Sequence, residues 1–178
     1  MKKLIPWLGA AAIITLLFGT IYAVAQQSLR QTANEPETQL AEDAAAKLDQ
    51  GAAAPSLISG RVDMKASLAP FVIIYNTSGH VVAGSGYLNG QIPVIPFGVL
   101  THTMSTMSAK PNAVTWQPQP GVRLATVEVA ARNYYVLAGR SLREVEKHEN
   151  EVLKLSAFGW LVAIVVLGGA FTLSHRYT

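Results

Sequence analysis

FVIIYNTSGHVVAG, residues 71–84, decides the fold of the middle of this chain. Phe71, Val72, Ile73, Ile74 and Tyr75 form a β-branched and aromatic run, the composition of a strand. Asn76, Thr77, Ser78 and Gly79 supply turn chemistry, and residues 80–84 return as a second strand, giving a hairpin. Before Pro70 the period is helical: residues 39–50 are Ala-rich, with Leu40, Ala44 and Leu48 in step. Pro36 suits the first turn of that helix and Gly51 the position just past its end.

Downstream, residues 85–96 are rich in Gly and Pro and read as loop, and 97–107 as a short helix. Three more strands follow at 113–117, 122–130 and 134–140, separated by turns at 119–121 and 131–133. In 122–130, Val122, Leu124, Thr126 and Glu128 alternate with Arg123, Ala125, Val127 and Val129. The expected class is α+β, a five-stranded antiparallel sheet with flanking helices. At Ser141 the pattern turns helical again. Ser141 with Glu144 three residues on has the form of a capping box, and one nearly continuous helix is expected over 141–173.

The two ends have a different character. LIPWLGAAAIITLLFGTIYAVA (4–25) and LSAFGWLVAIVVLGGAFTL (155–173) hold no side chain charged at neutral pH. A helix needs about 20 apolar residues to cross a bilayer, and in hydrocarbon only helices and closed barrels satisfy their own backbone. The expected layout is a hairpin through the cell membrane: a tail at 1–3, a transmembrane helix at 4–25, a water-facing domain at 26–154, a second transmembrane helix at 155–173 and a tail at 174–178. All 11 acidic residues lie in 26–154, together with 11 of the 14 basic ones, so the formal +3 resides in Lys2, Lys3 and Arg176. Basic flanks favour the cytoplasmic side. Both termini are therefore expected inside, and the domain extracellular or periplasmic. A rival reading stays open for the first segment: Lys2-Lys3 followed by an apolar run and Ala23-Val24-Ala25 also fits a cleaved signal peptide.

A neutral domain without a basic block gives no reason to expect nucleic acid as a partner. With 0 cysteines, disulfides, thiol catalysis and Cys-ligated metals are excluded. The domain must stabilise itself by burial of apolar surface.

FVIIYNTSGHVVAGSGYLNG (71–90) and VTWQPQPGVRLATVEVAARNYYVLAGRSLREVEKHENEV (114–152) resemble extracellular PAS-like (Cache/PDC-type) sensor domains of bacterial two-transmembrane sensor histidine kinases. The resemblance covers roughly residues 40–173, and the stretch 137–146 carries most of it. It implies five antiparallel strands with helices on one face, placed between two transmembrane helices. A kinase of that kind continues into a HAMP linker, a phospho-accepting helix and an ATP-binding domain, whereas this sequence ends at Thr178. The resemblance therefore implies a sensor module without its own output, working through a membrane-embedded kinase or transporter.

No residue pattern points to catalysis. His80, His102, His148 and His175 show no metal-ligand spacing, and no cofactor is expected. Ser85 lies between two glycines but lacks the G-x-S-x-G spacing, so a flexible turn is the plain reading. Trp116, Arg123, Tyr134 and Tyr135 lie on the predicted C-terminal strands. Aromatic walls with one cation suit a small anionic ligand, and Tyr75, Trp116, Arg123 and Tyr135 are the candidate ligand-binding residues. The plainer account is that these aromatics pack a half-buried sheet. Tyr134 and Tyr135, being neighbours on a strand, must face opposite sides. Gly19-x-x-x-Ala23, Gly159-x-x-x-Ala163 and Gly168-Gly169 permit close helix approach, within the hairpin or in a homodimer in the lipid bilayer. The expected function is a non-enzymatic, membrane-anchored sensor-like module that binds a small ligand or partner protein and relays through its helices. The alternative is a structural or accessory membrane protein whose outer domain is an interaction surface without a ligand.

Overall fold

A computed structural model describes residues 4–105 and 111–176. The elements in chain order are α1 (Ile5–Asp49), a 3-10 helix (Ala54–Leu57), β1 (Val62–Asp63), β2 (Phe71–Asn76), β3 (Val81–Gly84), β4 (Gly86–Tyr87), α2 (Phe97–Ser105), β5 (Asn112–Gln119), β6 (Val122–Ala131), β7 (Tyr134–Ser141) and α3 (Arg143–Arg176). They fall into two compact units, Gln31–Glu144 on one hand and Met1–Arg30 with Val145–Thr178 on the other.

The unit Gln31–Glu144 is built on a five-stranded antiparallel sheet of order β3-β2-β7-β6-β5. All five strands expected from the sequence are present, with ends shifted by two residues at most. The first and last of them, β2 and β7, pair in the middle, with Phe71 opposite Gly139 and Tyr75 opposite Tyr135. Every residue from Phe71 to Tyr75 is buried. A strand covered on both faces needs no polar alternation, which is why FVIIY is continuously apolar.

One face of the sheet carries Phe71, Ile73, Tyr75, Leu124, Tyr135 and Leu137 under Met64, Leu88, Ile95 and Leu100. The other carries Val72, Ile74, Val136 and Ala138 under Ala41, Ala44, Ala45 and Leu48 of α1. Helices thus cover both faces, where the PAS resemblance implied one. Each large apolar side chain buried here contributes about 1.5–3 kcal/mol.

α1 does not restart at Pro36 as expected. It runs through the proline as one helix of 45 residues. The hydrogen bond that Pro36 cannot make would have gone to the carbonyl of Thr32, an exposed residue, where water can take its place. The far end is the expected Gly51 stop: the Gly51 N–H bonds the Leu48 carbonyl and the Ala52 N–H the Lys47 carbonyl, both at 3.0 Å. Gly51 adopts φ 93°, so this is a Schellman cap. In the hairpin turn, Asn76 Oδ1 accepts the N–H groups of Ser78 (3.0 Å) and His80 (2.9 Å). Gly79 closes that turn at φ 78°.

The stretch read as loop at 85–96 contains β4, which pairs in parallel with β1: Val62 with Gly86, Asp63 with Tyr87. A Cβ on Gly86 would strike the Phe71 ring at 2.8 Å, and the Met64 methyl as well. Gly86→Ala should therefore destabilise this unit by about 1–3 kcal/mol, the usual range for overpacking. A urea titration of the purified chain that showed an unmoved midpoint would exclude that packing.

The short helix α2 matches the expectation up to Ser105; positions 106 and 107 lie outside the described residues. The capping box at Ser141 is corrected. Ser141 is the last residue of β7, its Oγ accepts the Arg143 N–H at 3.3 Å, and α3 begins at Arg143. The strand ladder to Leu124 holds Ser141 extended, so its hydroxyl serves a turn and not a helix cap.

In the other unit, the N-terminal part of α1 and the C-terminal part of α3 pack antiparallel. Trp7 meets Phe171 edge-on with ring centroids 5.4 Å apart, and the Trp160 indole N–H donates to Thr15 Oγ1 at 2.9 Å. Phe18 lies where a side chain on Gly159 would stand, and Arg30 pairs with Glu149 at 2.8 Å. The Gly159 spacing thus serves contact within the hairpin. Both helices are long and apolar enough to cross a membrane. Their outer faces leave large apolar side chains open, Leu16 at 70% and Leu155 at 71%.

Candidate functional site

The register of β6 and β7 decides which side chains can act together. Tyr75 and Tyr135 are opposite each other on β2 and β7, and Glu128 lies opposite Leu137 on the same face. Trp116, opposite Leu124, belongs there too. All of them are buried: Tyr75 0% exposed, Tyr135 2%, Trp116 7% and Glu128 0%. Arg123 departs from the set. It is an exposed residue in register between Val122 and Leu124, so it projects on the opposite face. Three of the four predicted ligand residues therefore share one face, without the cation: Tyr75 and Tyr135 are paired, and Trp116 stands further along the sheet, opposite Leu124. Tyr134 packs on the α1 side and Tyr135 on the other, as their adjacency requires.

The ionisable side chain buried with the aromatics is an acid, Glu128. The Asn112 amide donates to Glu128 Oε2 at 3.4 Å. The Tyr75 hydroxyl reaches the Pro93 carbonyl at 3.4 Å. Burial, and after it the Glu128 carboxylate, push the phenol of Tyr135 above its ordinary range. Tyr75 is raised further, first by burial, with Glu128 adding to it. Both phenols thus remain protonated donors at any physiological pH. Glu128 was legible as the inward member of the Leu124, Thr126, Glu128 alternation.

A second polar cluster lies on the α1 face, where β7 ends. The Arg140 Nε–H donates to Glu37 Oε1 in a short ion pair; Glu37 is fully buried and the Arg140 side chain 34% exposed. Nothing singled out Glu37 in the sequence, although it stands four residues before Ala41 in the same helical stripe as Ala44, Ala45 and Leu48. Leu142, the single residue between β7 and α3, is buried and donates its N–H to the Arg123 carbonyl at 2.9 Å. The Arg143 guanidinium bonds the carbonyls of Lys65 (3.3 Å) and Ala66 (2.9 Å). The exit from the sheet is thus fixed at Arg140, Leu142 and Arg143.

Ser85 is neither flexible nor poised as a nucleophile. It is buried between β3 and β4, and its Oγ accepts the Val72 N–H at 2.9 Å and donates to the Val72 carbonyl at 3.3 Å. The chain matches no family model, no curated protein and no solved structure.

Proposed function

We propose that this chain is a two-pass membrane protein with a PAS-like, sensor-like module outside the membrane, which passes a change through its helices to a separate output protein. The observation that carries this reading is the junction at 140–143. β7 gives way to α3 across one buried residue, Leu142, with Arg143 tied to two backbone carbonyls. A shift of β7 has no slack linker in which to dissipate. The two apolar helices support the membrane part of the reading, since lipid is the natural cover for side chains such as Leu16 and Leu155. Inserting Gly-Gly-Gly-Ser after Ser141 should leave the melting transition of the sheet intact and abolish complementation of a deletion strain. Full complementation by the insertion overturns the relay.

The ligand class follows from the sheet face. With Glu128 buried on the same face as Tyr75, Trp116 and Tyr135, and Arg123 on the other side, the face offers an acid and phenols but no arginine, which favours a cation or hydrogen-bond donor over the anion first expected. A thermal-shift panel should respond to amines and not to carboxylates. The second reading is the accessory protein without a ligand, favoured by the full burial of Tyr75 in the core. Silence across both panels, with a membrane protein co-purifying, selects it.

A further inference from the structure

The way α1 rests on the sheet is unusual in what it lacks. Its buried contacts are Ala41, Ala44, Ala45 and, last, Leu48, set against Val72, Ile74, Val136 and Ala138. Leu40 and Tyr134 pack at this face as well, but at its centre α1 offers three methyl groups to β-branched and small side chains, which interlock less deeply than longer ones would. Such an interface resists separation but offers little resistance to sliding, the shear type of motion known for packed helices. Register along the sheet must come from elsewhere. Two polar ties supply it. Asp49 Oδ1 accepts the Arg132 N–H at 2.8 Å at one end, and Glu37 holds Arg140 at the other. The second tie is incomplete: Glu37 Oε2 is buried and has no hydrogen-bond partner among the described residues. A half-satisfied buried carboxylate is a costly arrangement, and a small displacement of α1 along β7 would offer Oε2 the remaining guanidinium N–H groups of Arg140.

We propose that Glu37–Arg140 is a latch setting the position of α1 along β7, with a second register within reach, so that α1 is a movable element of the module and not a passive anchor. This rests on the sensor-like reading and adds α1 to α3 as a carrier of the change. Glu37 and Arg140 are positioning residues in this scheme. Because the chain has 0 cysteines, the register can be read directly. Ala46 on α1 and Asn133 in the β6–β7 turn are both exposed and accept spin labels as Ala46→Cys and Asn133→Cys in the full chain in nanodiscs. Glu37→Gln should convert one label–label distance into a distribution shifted or split by between ~1.5 Å, one residue of rise, and ~5.4 Å, one helical turn. Gly86→Ala, which loosens the other face, should leave the distance unchanged. Should Glu37→Gln fail to fold, Arg140→Lys carries the same test, since it keeps the charge and removes the fork. An unaltered single distance in the folded variant overturns the latch. That result would leave the junction at Leu142 standing, because the insertion after Ser141 tests it separately.

Discussion

Phe71→Ala should lower the unfolding free energy of the sheet unit by about 3–5 kcal/mol, the range for an aromatic removed from a core that cannot collapse. The reason lies in two glycines. Phe71 is 1% exposed, and its ring occupies the space that Gly86 and Gly139 leave empty: a Cβ on either would come within 2.8 Å of it. Truncating the ring leaves a cavity bounded on the glycine sides by backbone, with the end of Met64 the flexible group beside it. The two glycines should then differ in rescue. Gly86→Ala in the Phe71→Ala background meets only the flexible end of Met64, so it should recover part of the loss. Gly139→Ala meets the Ala125 carbonyl oxygen at 2.8 Å whether or not the ring is present, so it should deepen the loss. Urea titrations of the parent, the three single variants and the two double variants in detergent micelles, read through the sheet's circular dichroism, give the two couplings as double-mutant cycles. Equal rescue by both glycine substitutions would exclude the ring as the common filler.

The strands were legible because their signals were local and strong. FVIIY is apolar on both faces, and the run from Val122 to Ala130 holds Val122, Thr126, Val127 and Val129, β-branched residues that favour a strand. Elements without a period could not be read. β1 and β4 have two residues each, so neither shows alternation, and their pairing depends on Gly86 admitting Met64 and Phe71. Pro36 was misread because its local preference for a first helical turn yields to a helix that continues on both sides of it, at a place where the freed carbonyl belongs to the exposed Thr32. The candidate site was half legible. Arg123 and Glu128 are five positions apart on one strand, and an odd separation places them on opposite faces. That parity already argued against pooling Arg123 with an inward aromatic set. The Glu37–Arg140 pair joins residues 103 positions apart, and no local pattern reports such a partner.

Arg140→Met should destabilise the same unit by about 3 kcal/mol, the lower end of what is lost when one partner of a buried ion pair is removed, because the Arg140 side chain is itself 34% exposed. The damage comes from what is left behind. Glu37 is 0% exposed and its second oxygen already lacks a partner among the described residues, so without Arg140 a whole carboxylate is buried uncompensated. Adding Glu37→Leu removes that charge and should bring the stability back to within about 1 kcal/mol of the parent, since apolar replacements of buried pairs are often neutral or better. The pair is therefore expected to contribute little net stability while its halves are individually indispensable. That asymmetry separates two roles. A pair kept for stability would leave the double variant as weak as the single one. A pair kept to set the register of α1 would leave the double variant stable, yet with a mobile helix and no complementation of a deletion strain. Recovery of both stability and complementation would show that Glu37 and Arg140 serve neither role, and that the Ala41, Ala44 and Ala45 face holds α1 in place unaided.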